Sequence, residues 1–180
     1  YATQGLEENA WQRLRRRAGS TSWIVAPGFK YAMTDLNAAI GLHQLKRIER
    51  WWRRRRAIWD HYASLLRGQP AFVPAAKVPG GRHALHLFTG HLARARRNIN
   101  RDGIRRAMLA RGIGTGVHYV SLHLHPYYRR RFGFGRDAFP NARWISERTL
   151  SLPVSAQLTD GEVERVADAQ RAVLLRAAKR

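Results

Sequence analysis

Gly28-Phe-Lys-Tyr-Ala-Met-Thr-Asp-Leu-Asn-Ala-Ala-Ile-Gly41 is the stretch from which the rest of this 180-residue chain is read. Thr34 has the side chain of a helix N-cap. From it Leu36, Ile40, Ile48, Trp52, Trp59, Tyr62 and Leu66 recur at multiples of helical spacing, with no proline or glycine pair between them. The spacing predicts one helix over 34–66, about 50 Å long at 1.5 Å per residue. That exceeds what one small domain requires, so the helix is expected to bridge two structural units. Gly68-Gln-Pro70 stops it, and 74–81 is rich in turn formers.

Downstream, 86–92 is predicted as a strand and 101–110 as an amphipathic helix closed by Gly112. Residues 117–124 alternate as a second strand, and 139–150 read as helical. Thr159-Asp-Gly-Glu162 has the form of a capping box. It opens a last helix with Val163, Val166, Ala167, Ala169 or Gln170, Val173 and Leu174 on the buried side. Helix, strand, helix, strand, helix, helix is the order of an α/β or α+β layer domain, and the pattern leaves the strand direction open. There is no internal repeat.

The chain is long enough for one domain with its own core, or for one domain and part of another. It starts at Tyr1 and contains no apolar run of about 18 residues, so it is expected to be a soluble piece of a longer protein with no membrane partner. Having no cysteine, it has no disulfide and no thiolate metal site. Its net charge of +21 includes arginine runs at 15–17, 53–56 and 129–131. Such a field attracts phosphate-bearing partners. Helix faces coated with solvated arginines account for it more simply, and no zinc-finger or RNA-recognition aromatic signature accompanies it. A nucleic-acid partner is therefore not expected, although Trp51, Trp52 and Trp59 interleave with the 53–56 run. A helix face buried against another domain explains these indoles with fewer assumptions.

Gly112-Ile-Gly-Thr-Gly116 follows a helix, so it reads as a C-cap and tight turn rather than a dinucleotide loop. After it come His118, His123 and His125. On a continuous strand the last two share a face and His118 points the other way, with no acidic residue evident nearby. No metal site is expected.

These pieces occur in a recognisable order: 28–41, then Gly112-Ile-Gly-Thr-Gly-Val-His-Tyr119 and Leu122-His-Leu-His-Pro-Tyr-Tyr128, then Phe139-Pro-Asn-Ala142, Leu150-Ser-Leu-Pro153 and Leu158-Thr-Asp-Gly-Glu-Val-Glu-Arg165. Together they resemble the C-terminal half of the DegT/DnrJ/EryC1/StrS family of PLP-dependent sugar aminotransferases. The resemblance implies an α/β fold: the small C-terminal domain of a fold type I PLP-dependent transferase, entered by a long interdomain helix. Residues 1–51 correspond to the tail of the large PLP-binding domain and the start of the helix, and 52–180 to the small domain.

The resemblance further implies pyridoxal 5'-phosphate as cofactor, a keto nucleotide sugar as substrate, glutamate as amino donor, a homodimer and a cytoplasmic location. Polysaccharide, lipid A and antibiotic-sugar biosynthesis are the usual settings. Lys30 and Tyr31 are the implied cofactor-binding residues, in a segment that in the family reaches the cofactor phosphate of the neighbouring subunit. Here Ala32 stands where the family has a polar Asn or Arg. His118, Tyr119 and His123 are the implied substrate-binding residues, on the sugar side of the site. None of Lys30, Lys46, Lys77 and Lys179 stands in the setting of the family's Schiff-base lysine. No catalytic residue is therefore assigned to this chain, which is expected to be inactive in isolation. A family variant dehydrates the sugar at C3, and the residue at that lysine position distinguishes the two. The alternative reading is a non-catalytic basic module binding a partner subunit or nucleic acid.

Overall fold

The computed structural model describes residues 26–27, 33–76, 80–93 and 100–178. The chain divides into two units, Tyr1–Ile48 and Glu49–Arg180. In the first, α1 (Asp35–Leu45) starts where expected, with the Thr34 hydroxyl accepting from the Asn37 N–H. Its apolar residues Leu36, Ile40 and Leu42 are exposed.

The single helix expected over 34–66 is interrupted. The Arg47 N–H bonds three residues back to the Gln44 carbonyl, and α2 (Ile48–Leu65) begins after this Lys46-Arg47 turn. No proline or glycine marks the break, so periodicity alone passes through it. The apolar residues of α2 are buried only in its second half, at Ile58, Trp59 and Tyr62, with Leu66 following.

The second unit is built on a three-stranded antiparallel sheet in the order β1 (Phe72–Pro74), β2 (Phe88–Leu92), β3 (Thr149–Leu152). The register pairs Phe88 with Leu152, Thr89 with Ser151, Gly90 with Leu150 and His91 with Thr149. Because side chains alternate along a strand, Phe88, Leu150 and Leu152 share one face, and Thr89, His91, Thr149 and Ser151 the other.

The apolar face carries the core. Phe88 meets Trp59 edge-on at 4.7 Å and Tyr62 at 4.9 Å, and α6 (Asp160–Ala178) adds Val163, Val166, Ala167, Val173 and Leu174. Each fully buried Phe, Leu or Val among these contributes about 1.5–3 kcal/mol from removal of apolar surface from water. Gly90 is required by this packing: a Cβ there would lie 2.3 Å from Phe72 Cζ and 2.7 Å from the Val73 carbonyl oxygen. Tyr62 donates to the Pro153 carbonyl at 3.0 Å, and burial raises its pKa, so the phenol stays a donor.

The remaining helices are α3 (Arg101–Leu109), α4 (Pro126–Phe132) and α5 (Pro140–Arg148). Asn100 caps α3 by accepting from the Asp102 and Gly103 N–H groups, and Gly112, at φ +71°, reverses the chain after it. The capping box of α6 forms as read. The Glu162 carboxylate accepts from the Thr159 N–H at 2.8 Å, and the Glu162 N–H donates to the Thr159 hydroxyl at 3.3 Å.

Gln170 fills the alternative position on the buried side of α6. It is fully buried, and neither its amide nitrogen nor its oxygen has a hydrogen-bond partner among the described residues. An unpaired buried polar group costs about 1–3 kcal/mol. Gln170→Leu is therefore expected to raise stability by a similar amount, read as an increase in the midpoint of urea unfolding.

Two segments differ from the sequence expectation. Residues 117–124 form no strand: Gly116 makes one bridge with Ser151, and Leu122–Leu124 is a short 3-10 turn leading into α4 at Pro126. Beyond that bridge the Thr149 hydroxyl donates to the His118 carbonyl at 3.4 Å, and the Leu124 and His125 N–H groups donate back to the Ser121 and Leu122 carbonyls, so local turn bonds replace the ladder. The helix read over 139–150 stops at Arg148, and Thr149-Leu-Ser-Leu152 becomes β3. Its pairing with β2, distant in sequence, overrides the local helical tendency.

Candidate functional site

The polar face of the sheet organises the candidate site. On it lie Thr149 and Ser151 of β3, both buried, and His91 of β2, whose ring meets Trp144 of α5 edge-on at 5.1 Å. Gly116 exchanges both backbone hydrogen bonds with Ser151, at 3.0 and 2.9 Å. Two residues on, His118 Nδ1 lies 2.7 Å from the Ser151 hydroxyl oxygen. The ring rests against Gly116, where a Cβ would come within 2.6 Å of His118 Cε1. The His118–Tyr119 peptide is cis, and the two rings meet edge-on at 4.8 Å. Tyr119 is 73% exposed.

The segment is then clamped to α5. The Ser121 N–H donates to Ser146 Oγ at 2.9 Å, and the Ser121 hydroxyl to the Ala142 carbonyl at 2.7 Å. Arg101, at the start of α3, donates to the Ser146 carbonyl. His118 and Tyr119 are thus held at the surface by a buried hydroxyl-rich strand, a glycine and a helix. This arrangement can present an imidazole edge and a phenol to a polar ligand.

His123 is placed differently. It is 4% exposed, its Nε2 lies 3.2 Å from the Arg136 carbonyl, and its ring packs edge-on against Phe139 at 5.1 Å. Its ring nitrogen and its surface are used inside the protein, holding the loop after α4, and the structure does not bring it to the His118 edge. With 117–124 wound into a turn rather than a strand, the His123 side chain goes inward. His125 stays exposed, with Nε2 3.4 Å from the Val120 carbonyl. Among the described residues no three His, Cys, Asp or Glu side chains converge as a metal site. Lys30 and Tyr31 lie outside the described residues.

Ser151, Thr149, Gly116 and Ser146 escaped the sequence reading as site residues. Ser151 and Thr149 had a usable signal in the alternation of Thr149-Leu-Ser-Leu152, which places two hydroxyls on one face of a strand. Gly116 had none, because a close approach to a later ring is not a local property.

Three arginines of the 53–56 run make individual contacts. Arg54 donates to the Leu158 carbonyl and pairs with Asp160 at 2.8 Å, tying α2 to the start of α6. Arg55 donates to the Ala84 carbonyl, and Arg56 lies over the Trp52 ring at 5.5 Å. The indoles of Trp52 and Trp59 donate to the His83 and Leu87 carbonyls. Much of this basic and aromatic helix is therefore engaged in holding the following segment.

Beside the site, Glu147 of α5 accepts from Arg136 at 2.8 Å and Arg143 at 2.9 Å. These bonds, Arg136 first, hold its carboxyl below the usual glutamate range. The lowered folded-state pKa means stabilisation that is present above the ordinary glutamate pKa and lost as pH falls through the folded value. Glu147→Gln is expected to lower the melting temperature at neutral pH by an amount corresponding to less than about 1 kcal/mol, as for exposed pairs. The difference from the parent should vanish in acid, measured as melting temperature across a pH series.

Residues 1–171 match the DegT/DnrJ/EryC1/StrS aminotransferase family. The spore coat polysaccharide biosynthesis protein SpsC of Bacillus subtilis is 34% identical over 171 residues, covering 94% of this chain and 44% of SpsC. Among solved structures, the PMP-form of the putative sugar aminotransferase Spr1654 of Streptococcus pneumoniae superposes with a TM-score of 0.81 at 28% identity, over 98% of this chain and 43% of that one. DesI, solved in the presence of its TDP-sugar product, superposes with a TM-score of 0.74 at 25% identity, over 87% of this chain and 39% of DesI. The chain thus spans less than half the length of the relatives it matches. With this match and this fold, the chain belongs to the DegT/DnrJ/EryC1/StrS aminotransferase family.

Proposed function

We propose that this chain forms the C-terminal part of a pyridoxal-phosphate-dependent aminotransferase that moves an amino group from glutamate to a keto nucleotide sugar. The observation that carries the reading is the family match over residues 1–171, within which His118 and Tyr119 are held at the surface by Ser151 and Gly116. DesI and its TDP-sugar product support the nucleotide-sugar assignment. In this reading 1–51 completes the large domain and begins the helical connection, 52–180 is the small domain, and the working protein is a cytoplasmic homodimer. No helix among the described residues is long and apolar enough to cross a membrane.

The described residues do not by themselves fit the cofactor. The lysine among them, Lys46, is exposed in the turn between α1 and α2, and no amine sits in an apolar pocket. The covalent lysine is proposed to come from a part of the protein outside these 180 residues, so no step through the cofactor is assigned here. Lys30 and Tyr31 are proposed to reach the cofactor phosphate. What this chain contributes is orientation: His118 and Tyr119 hydrogen-bond the sugar side of the substrate and fix its keto carbon in place.

The test is a coupled assay on the intact protein. Formation of 2-oxoglutarate from glutamate should require both pyridoxal phosphate and a keto nucleotide sugar. Turnover with a free keto sugar equal to that with its nucleotide form would refute the substrate assignment.

A further inference from the structure

We propose that Ser151 fixes His118 as a hydrogen-bond donor: the serine hydroxyl donates to Nδ1, the ring proton sits on Nε2, and Nε2–H is offered to an acceptor oxygen of the ligand. The inference rests on the reading of His118 as a substrate-side residue and adds the chemical role of its free edge.

The argument starts from a buried hydroxyl. Ser151 is 3% exposed, and the contact its Oγ makes among the described residues is the 2.7 Å approach to His118 Nδ1. A buried hydroxyl hydrogen needs an acceptor. If Nδ1 carried the proton, Oγ would accept it, and the hydroxyl hydrogen would then have to find a second acceptor. None stands within hydrogen-bonding geometry of Oγ among the described residues, and the backbone carbonyls of Ser151 and Gly116 already bond each other's N–H groups. If Nδ1 is the acceptor, the hydroxyl is satisfied and the neutral ring holds its proton on Nε2.

The other edge of the ring is open. Nε2 has no partner among the described residues, and it is not one of the buried unpaired polar atoms there. The ring is also confined, with Gly116 under Cε1 and Nδ1 and the Tyr119 ring against it at 4.8 Å. A donor fixed in this way suits a phosphate, carboxylate or sugar oxygen. It does not suit removal of a proton, because Nε2 has no lone pair to accept one.

The test uses the intact protein labelled with nitrogen-15 in histidine, the His118 signals being assigned by their loss in His118→Asn. At a pH where the ring is neutral, the parent should show a protonated Nε2 and a bare Nδ1. In Ser151→Ala the two tautomers should mix, and affinity for a uridine or thymidine diphosphate hexose, used as the probe, should fall roughly tenfold, the effect of losing one oriented hydrogen bond. Ser151→Thr, which keeps the hydroxyl, should restore the parent tautomer. A protonated Nδ1 in the parent, or an unchanged tautomer in Ser151→Ala, would overturn the proposal. Failure of both the uridine and the thymidine diphosphate hexose to bind any form, with the tautomer as stated, would count against the nucleotide-sugar reading and uphold the role of Ser151.

Discussion

Phe88→Ala is expected to destabilise the Glu49–Arg180 unit by about 3–5 kcal/mol, the range for removing a fully buried aromatic side chain. Phe88 is in the central strand, opposite Leu152, and completely buried. Its ring makes the edge-on contact with Trp59 at 4.7 Å and the tilted contact with Tyr62 at 4.9 Å that join sheet to helix α2. Alanine would leave a void with backbone on one side and two large rings on the other. Neither ring can move in freely, since Trp59 donates to the Leu87 carbonyl and Tyr62 to the Pro153 carbonyl. Relaxation is limited, and the cavity cost adds to the lost burial. Urea unfolding followed by tryptophan fluorescence measures the difference. A loss within the ±0.5 kcal/mol typical of surface sites would mean that Phe88 is not the centre of this core.

Gly116→Ala should act on function more than on folding, lowering kcat/KM for the proposed amino transfer by the intact protein roughly 100-fold, the scale of effect of a misplacement of about 1 Å. Gly116 has no left-handed backbone requirement, so alanine is conformationally acceptable there. The obstacle is the imidazole, whose Cε1 would be 2.6 Å from the new methyl group. Either the ring leaves Ser151 or the Gly116–Ser151 bridge opens, and each displaces His118 and Tyr119 from the surface they share. Steady-state rates with a keto nucleotide sugar, alongside an unfolding curve, separate the two effects. Activity equal to the parent would remove the position of His118 from the mechanism.

How much of this was legible in the sequence varies by element. Helices α3 and α6 were readable almost to the residue because their signals are local. Gly112 closes the first, and Thr159 and Glu162 cap the second with bonds spanning three residues. His118 and Tyr119 were readable as site candidates from the resemblance of their surroundings. The inward turn of His123, the break at Lys46-Arg47 and the strand β3 were not readable. Each follows from a partner far along the chain or from a backbone choice that no glycine or proline announces.

Sequence by itself determined the family, the mixture of helices and strands, the caps of α1 and α6 and the buried face of α6. These depend on residue type and short spacing, which the linear order contains. Only the tertiary structure decided that the sheet is antiparallel, that Thr149 and Ser151 share a buried polar face, and that His118 lies on Gly116 with Nδ1 against a serine 33 residues away. The physical reason is that a strand's direction and a hydroxyl's partner are set by pairing across the fold. The same alternating residues can satisfy their backbone and side-chain hydrogen bonds in more than one register until that pairing is made.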